Sequence, residues 1–228
     1  MRSENSLTSL QAHLTPTVVF RRVLIVVGLL LAAHIAAKFL VYGTGIGRES
    51  GSLSIFDLDI EQSFGTWFSS ILLLGIGLGL LWIAAVADYH GQQWRWLGII
   101  VIVLSCDEVA GLHDWLWIVR KWAARAGVEL GPVFHFAWTI PALAGLAIMV
   151  VVFAPFLLHL PRAHRSRMIA AAACYFGGAV GMEMLGSSVS AVHGLDALPY
   201  LSIVVIEETM EMVGLALGLR AVLLSWPS

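Results

Sequence analysis

The feature that most constrains this chain is a series of six apolar runs, at 23–42, 66–87, 96–119, 133–159, 168–192 and 201–226. A helix of about 20 apolar residues rises ~30 Å, the thickness of a bilayer's hydrocarbon core. The expected fold class is therefore all-α, a polytopic membrane helical bundle of about six transmembrane helices. Composition agrees: 12% of the 228 residues are charged, against about 25% in a soluble domain. Six such spans leave room for loops but not for a second domain. We expect a cytoplasmic N-terminal segment, 1–17, and a single membrane domain, 18–228. Arg21 and Arg22 precede the first run as they would in a secretory signal, but the run is long enough to favour a retained helix.

Loop charge sets the orientation, because cytoplasmic loops retain Lys and Arg. With both termini inside, Arg2, Arg21, Arg22, Arg95, Arg162, Arg165, Arg167 and Arg220 lie on the inner side, and Arg48, Arg120, Lys121 and Arg125 on the outer. The bias predicts N-in and C-in, in a bacterial-type inner membrane. Trp67, Trp94, Trp96, Trp122, Trp138 and Trp226 fall near span ends, where interfacial aromatics anchor helices. Gly75 with Gly79, and Gly177 with Gly181, have the four-residue spacing that lets helices approach closely.

Charged groups inside a span cost about 2.5–3.5 kcal/mol each at a helix centre, yet this chain carries many. His34 and Lys38 lie in the first run, Asp107, Glu108, His113 and Asp114 in the third, Glu183 in the fifth, and Glu207, Glu208 and Glu211 in the sixth; His135 opens the fourth. A rise of about 1.5 Å per residue puts most of these in the outer half of the bilayer, so residues from five helices converge on one slab. At about 100° per residue, Glu207, Glu208 and Glu211 form one acidic face. His34, Lys38 and Tyr42 share a stripe. Glu108 and His113 point about 140° apart, so both meet one site only if the helix distorts near Gly111.

Seven intramembrane carboxylates beside one Lys and a few His cannot all stay ionised and unpaired. Oxygen and imidazole donors from several helices suit a divalent or di-metal site of Fe, Mn or Zn. The candidate ligands are Glu108, His113, Glu183, Glu208 and Glu211, with Asp107, Glu207 and His34 as secondary candidates and Lys38 as countercharge. Such a site would support metal-bound water or oxygen chemistry on an apolar substrate, as a membrane oxidoreductase or hydrolase. Two other readings stay open: a proton- or cation-coupled carrier using the acids as transient sites, and a noncatalytic subunit of a larger complex or oligomer in which the carboxylates fix helix packing.

The acidic run Asp57 to Glu61 precedes the second span. Capping by Asp59 with Gln62 accounts for it, and an outer cation or lid role is the alternative. The Glu-x-x-His pairs of ferritin-like di-metal bundles and the HExxH motif are absent, as are the G-x-S-x-G, Walker A and dinucleotide fingerprints. No Cys-x-x-Cys-His occurs, and noncovalent haem between His34 and His113 fits the acid excess poorly. Cys106 and Cys174 form no paired motif and read as small buried residues. A net charge of −2 offers no broad basic surface for nucleic acid. The expected partners are lipid and a small apolar molecule or cation.

Overall fold

A computed structural model describes residues 15–46 and 51–225. Trp226, Arg2, Arg48 and nearly all of segment 1–17 lie outside the described residues. These are helical without strands: α1 (Pro16–Phe39, continued by a π turn Leu40–Thr44), α2 (Phe64–Val86), α3 (Gly91–Ala110), α4 (Ile118–Arg125), α5 (Thr139–His159), α6 (Arg162–Phe176), α7 (Glu183–His193) and α8 (Leu198–Leu224). Four stretches are long and apolar enough to cross a membrane: α1 with its π turn, α2, α5, and α6–α7 taken together. The pair α3 and Asp114–Arg125 passes that test only as one span bent by 76°. In α8, every window long enough to span contains Glu207, Glu208 and Glu211.

Local chemistry explains where the helices depart from the expected bounds. The third apolar run is not one helix. Gly111 takes a left-handed φ of 56°, its N–H reaches Asp107 O at 2.8 Å, and α3 stops there as helices do at glycine. In the fourth run, Pro132–Phe134 form a separate short 3-10 turn, and α5 starts only at Thr139. Pro141 sits in its first turn, where a missing N–H costs nothing. The buried Ser187 holds the preceding segment, accepting from Phe136 N (2.9 Å) and donating to Pro132 O (3.1 Å). The fifth run starts earlier, at Arg162, and is interrupted by a π turn at Gly177–Met182. The cap of α2 is Ser63, whose hydroxyl accepts from Thr66 N at 3.2 Å, and not Asp59. Residues 57–61 turn into the bundle instead, burying Leu58 against Val27 and Met212.

The acidic helix α8 is the hub, packed against α1, α2, α6, the π turn and α7. Its contacts depend on small residues. A Cβ on Gly214 would sit 2.5 Å from the Tyr175 backbone N, and one on Gly178 would lie 2.9 Å from Glu207 O. Of the glycines expected at close contacts, Gly79 faces Val222 and Gly177 faces the end of Met210, whereas Gly75 and Gly181 face open space. Ser70 and Ser105 join α2 to α3 reciprocally: each hydroxyl donates to the other's carbonyl, at 2.9 and 2.8 Å. The apolar core, with Leu73, Ile76, Leu80, Phe156, Leu215 and Val222 among its members, draws on α2, α3, α5 and the second half of α8.

The backbone contact at Gly214 generates a test. Gly214→Ala should lower the stability of the purified protein in detergent by about 1–3 kcal/mol through overpacking. Gly181→Ala should change it by less than about 0.5 kcal/mol. Thermal unfolding followed by circular dichroism measures both.

Candidate functional site

The end of the bundle away from the core encloses a cavity of about 890 Å³. Nine carboxyl side chains line it: Asp59, Glu61, Asp107, Glu108, Asp114, Glu183, Glu207, Glu208 and Glu211. Against them stand Arg120, His113 and His135. The structure thus brings together Glu108, His113, Glu183, Glu208, Glu211, Asp107 and Glu207 around one space. It does not close them into one ligand sphere. Among the described residues, the group that brings three ligand atoms within 4.8 Å of one another is Glu61, His113 and Asp114.

The break after α3 builds that group. Beyond Gly111 the chain turns back, so that Asp107 Oδ1 accepts from His113 N at 2.8 Å and Asp107 Oδ2 lies 3.1 Å from His113 Nδ1. An ionised carboxylate only accepts, so Nδ1 carries the proton and donates. Nε2 faces Glu61 Oε1 at 3.6 Å and Asp114 Oδ1 at 3.9 Å. Glu61 Oε1 is shut off from solvent and has no hydrogen-bond partner. A Cβ at position 111 would collide with the Glu61 carboxylate, so glycine is required both for the turn and for the approach of Glu61. The His113 ring also packs against Trp138, with centroids 4.8 Å apart, and Trp138 Nε1 donates to Glu183 Oε1 at 3.0 Å.

His34 and Lys38 lie away from the cavity lining. Lys38 Nζ binds Asp57 Oδ2 at 2.6 Å. His34, 1% exposed, accepts from Leu58 N at 3.0 Å. His34 and Lys38 therefore anchor the 57–61 loop, Tyr42 of the same stripe donates to Asp196 Oδ1 at 2.6 Å, and none of the three lines the cavity. Sequence reasoning preferred a capping role for the run that holds Asp59 and Glu61, kept an outer cation or lid role as the alternative, and left both residues out of the candidate ligands. Their signal is the alternation Asp57-Leu-Asp-Ile-Glu, in which apolar Leu58 and Ile60 mark a segment with one face turned inward.

Asp59 joins the same loop to α8's first turn, where Tyr200 donates its hydroxyl to Oδ1 at 3.1 Å. Its surface is open to the cavity, but protein surrounds it on most sides. Desolvation pushes its carboxyl up to about 6, against the pull of Lys38 and the Tyr200 hydrogen bond. Burial likewise raises Glu61, helped by the negative charge of Asp114 and opposed by His113.

The family described as Domain of unknown function (DUF8692) matches residues 23–226, which include every residue of the cavity. No characterised protein and no solved structure matches the chain.

The raised Asp59 carboxyl fixes the sign of a pH effect. The folded protein holds this proton up to about pH 6 and the unfolded chain only to about 3.8, so the group's contribution to stability falls as pH rises across that window. Asp59→Asn keeps an acceptor for Tyr200 and never ionises. It should raise the thermal midpoint near pH 8 and leave it unchanged near pH 4, as read by calorimetry at the two pH values.

Proposed function

This chain belongs to the DUF8692 family, and we propose that it is an integral membrane protein whose outer-half cavity binds a divalent metal ion. In this reading the six apolar segments cross a bacterial-type inner membrane as a single domain, N-in and C-in. The bent pair α3–α4 and the acidic α8 supply the two crossings beyond the four apolar stretches. Nonpolar side chains such as Leu74, Leu78, Val151 and Ile206, exposed on the helices' outer faces, support a lipid surround.

The observation that carries the metal reading is the Asp107–His113 pair with Glu61 opposite. A carboxylate holding one imidazole nitrogen while the other faces oxygen donors is the usual arrangement behind a metal-ligating histidine. The orphaned Glu61 Oε1 supplies a carboxylate oxygen that no donor satisfies. Glu61, His113 and Asp114 would hold the ion, with Fe, Mn and Zn suited to such a mixed set. Glu108, Glu183, Glu207, Glu208 and Glu211, deeper in the same cavity, would hold a second ion or retain protons. The metal would supply Lewis acidity and an activated water for hydrolytic or oxidative work on an apolar substrate. The protein's own part is to orient His113 through Asp107 and to wall off the bilayer with Trp138 and Leu112.

A second reading is a proton- or cation-coupled carrier. Glu183 and Glu207 line the same cavity beside Glu108, Glu208 and Glu211, and carboxyls gathered in this way suit proton passage.

Elemental analysis decides between them. Protein purified without chelators and exposed to Fe, Mn and Zn in turn should retain stoichiometric metal. His113→Ala, Glu61→Gln and Gly111→Ala should abolish retention, while Asp107→Asn should weaken affinity about 10–100-fold. Protons compete for Glu61, so retention should decline as pH falls. A metal-free wild type under all these conditions overturns the metal reading, and proton or cation flux in liposomes would then favour the carrier.

A further inference from the structure

Part of the cavity wall is apolar and comes from two helices, α3 with Ile100, Val103 and Leu104 and α5 with Leu146 and Met149. At their inner ends α3 and α5 meet, with the Trp94 and Phe156 rings edge to face at 4.8 Å. Toward their outer ends the cavity lies between them. A second hollow of about 510 Å³ continues between the same helices and shares Ile100 and Met149 with the first. From Gln92 in that hollow to Glu108 at the acidic end, α3 rises about 24 Å. The flanks of this slot carry Val103, Leu143 and Ile148, all exposed, so its mouth opens on whatever surrounds the apolar helices.

We infer that the slot seats the tail of a single-chain amphiphile with a neutral, oxygen-bearing head, a long-chain alcohol or amide that slides in sideways between α3 and α5. Its head would reach the group formed by Glu61, His113 and Asp114. This substrate class rests on the membrane and metal reading above. Charge selects the head. Nine carboxyl groups face three basic side chains across the cavity, so an anionic head meets net repulsion. A cationic head competes with the metal for the same carboxylates. A neutral oxygen completes a metal's ligand shell without adding charge.

Gly145 provides the test, because it lines the cavity and a Cβ there meets no atom within 4 Å. Gly145→Phe therefore fills the mouth without displacing backbone. Gly28 on α1 is equally open and lies off the cavity, so Gly28→Phe is the control. The probe is octadecanol with a mid-chain diazirine, photolysed with the purified protein in lipid nanodiscs, and the label is mapped by mass spectrometry. Label should concentrate on 100–108 and 142–149, fall about tenfold in Gly145→Phe and stay at wild-type level in Gly28→Phe. Octadecanol should compete for labelling better than stearate or octadecylamine. Label elsewhere, label indifferent to Gly145→Phe, or equal competition by the acid or amine overturns the proposal. Metal content is measured on the same samples. Labelling of the slot, blocked by Gly145→Phe in a protein that holds no metal, would leave the tail site standing and overturn the metal reading together with the neutral-head selection that depends on it.

Discussion

One side chain, Asp107, organises the acidic end of this bundle. Its carboxylate accepts from both the backbone N–H and the ring Nδ1 of His113, which ties the chain beyond Gly111 back onto the end of α3. The helix break, the 76° bend to the following segment and the direction of His113 Nε2 are then one event. Bonds to a charged acceptor contribute about 1.5–3 kcal/mol, enough to offset the helical bonds given up at the break. Had α3 continued to 119, Glu108 and His113 would have faced about 140° apart.

The acidic loop depends on the same logic. Two of its three acids bind different parts of the chain, Lys38 for Asp57 and Tyr200 for Asp59, while Glu61 faces His113 Nε2 at 3.6 Å without a hydrogen bond. Leu58 between them plugs into Val27 and Met212. A segment held at alternate residues by polar partners and by one buried leucine cannot swing freely, so Glu61 is presented to His113 by a braced support.

Much of this was legible in the sequence. The apolar runs locate the helices because a continuous apolar stretch has few other ways to satisfy its backbone. The acidic face of α8 follows from helical angles alone, as does the conflict between Glu108 and His113 that pointed to Gly111. What could not be read was how loops return. Asp59 and Gln62 have the spacing of a capping pair, but tertiary contacts to Tyr200 outcompete that local use, and Ser63 caps the helix. His34 and Lys38 do share a face, yet the partner of that face is the 57–61 loop, a contact between segments that no periodicity encodes. The π turn at Gly177–Met182 was hidden for a similar reason, since it answers to the close approach of Gly178 to Glu207 and Glu211 on α8.

The division of labour along α8 explains how a bundle tolerates so many carboxyl groups. From Leu198 to Glu211 the helix borders the cavity, where its acids meet open space and one another. From Met212 onward it carries Gly214, Ala216, Gly218 and Ala221, and packs tightly against α2 and α6. Close packing in one half supplies the dispersion and burial that the other half forgoes. Because a single rigid helix joins the halves, the cost of gathering acids at one end is carried by the core at the other. On the other side α5, mostly exposed along 148–152, gives the cavity Leu146 and Met149, so part of the apolar lining comes from a helix that contributes little to the packed core.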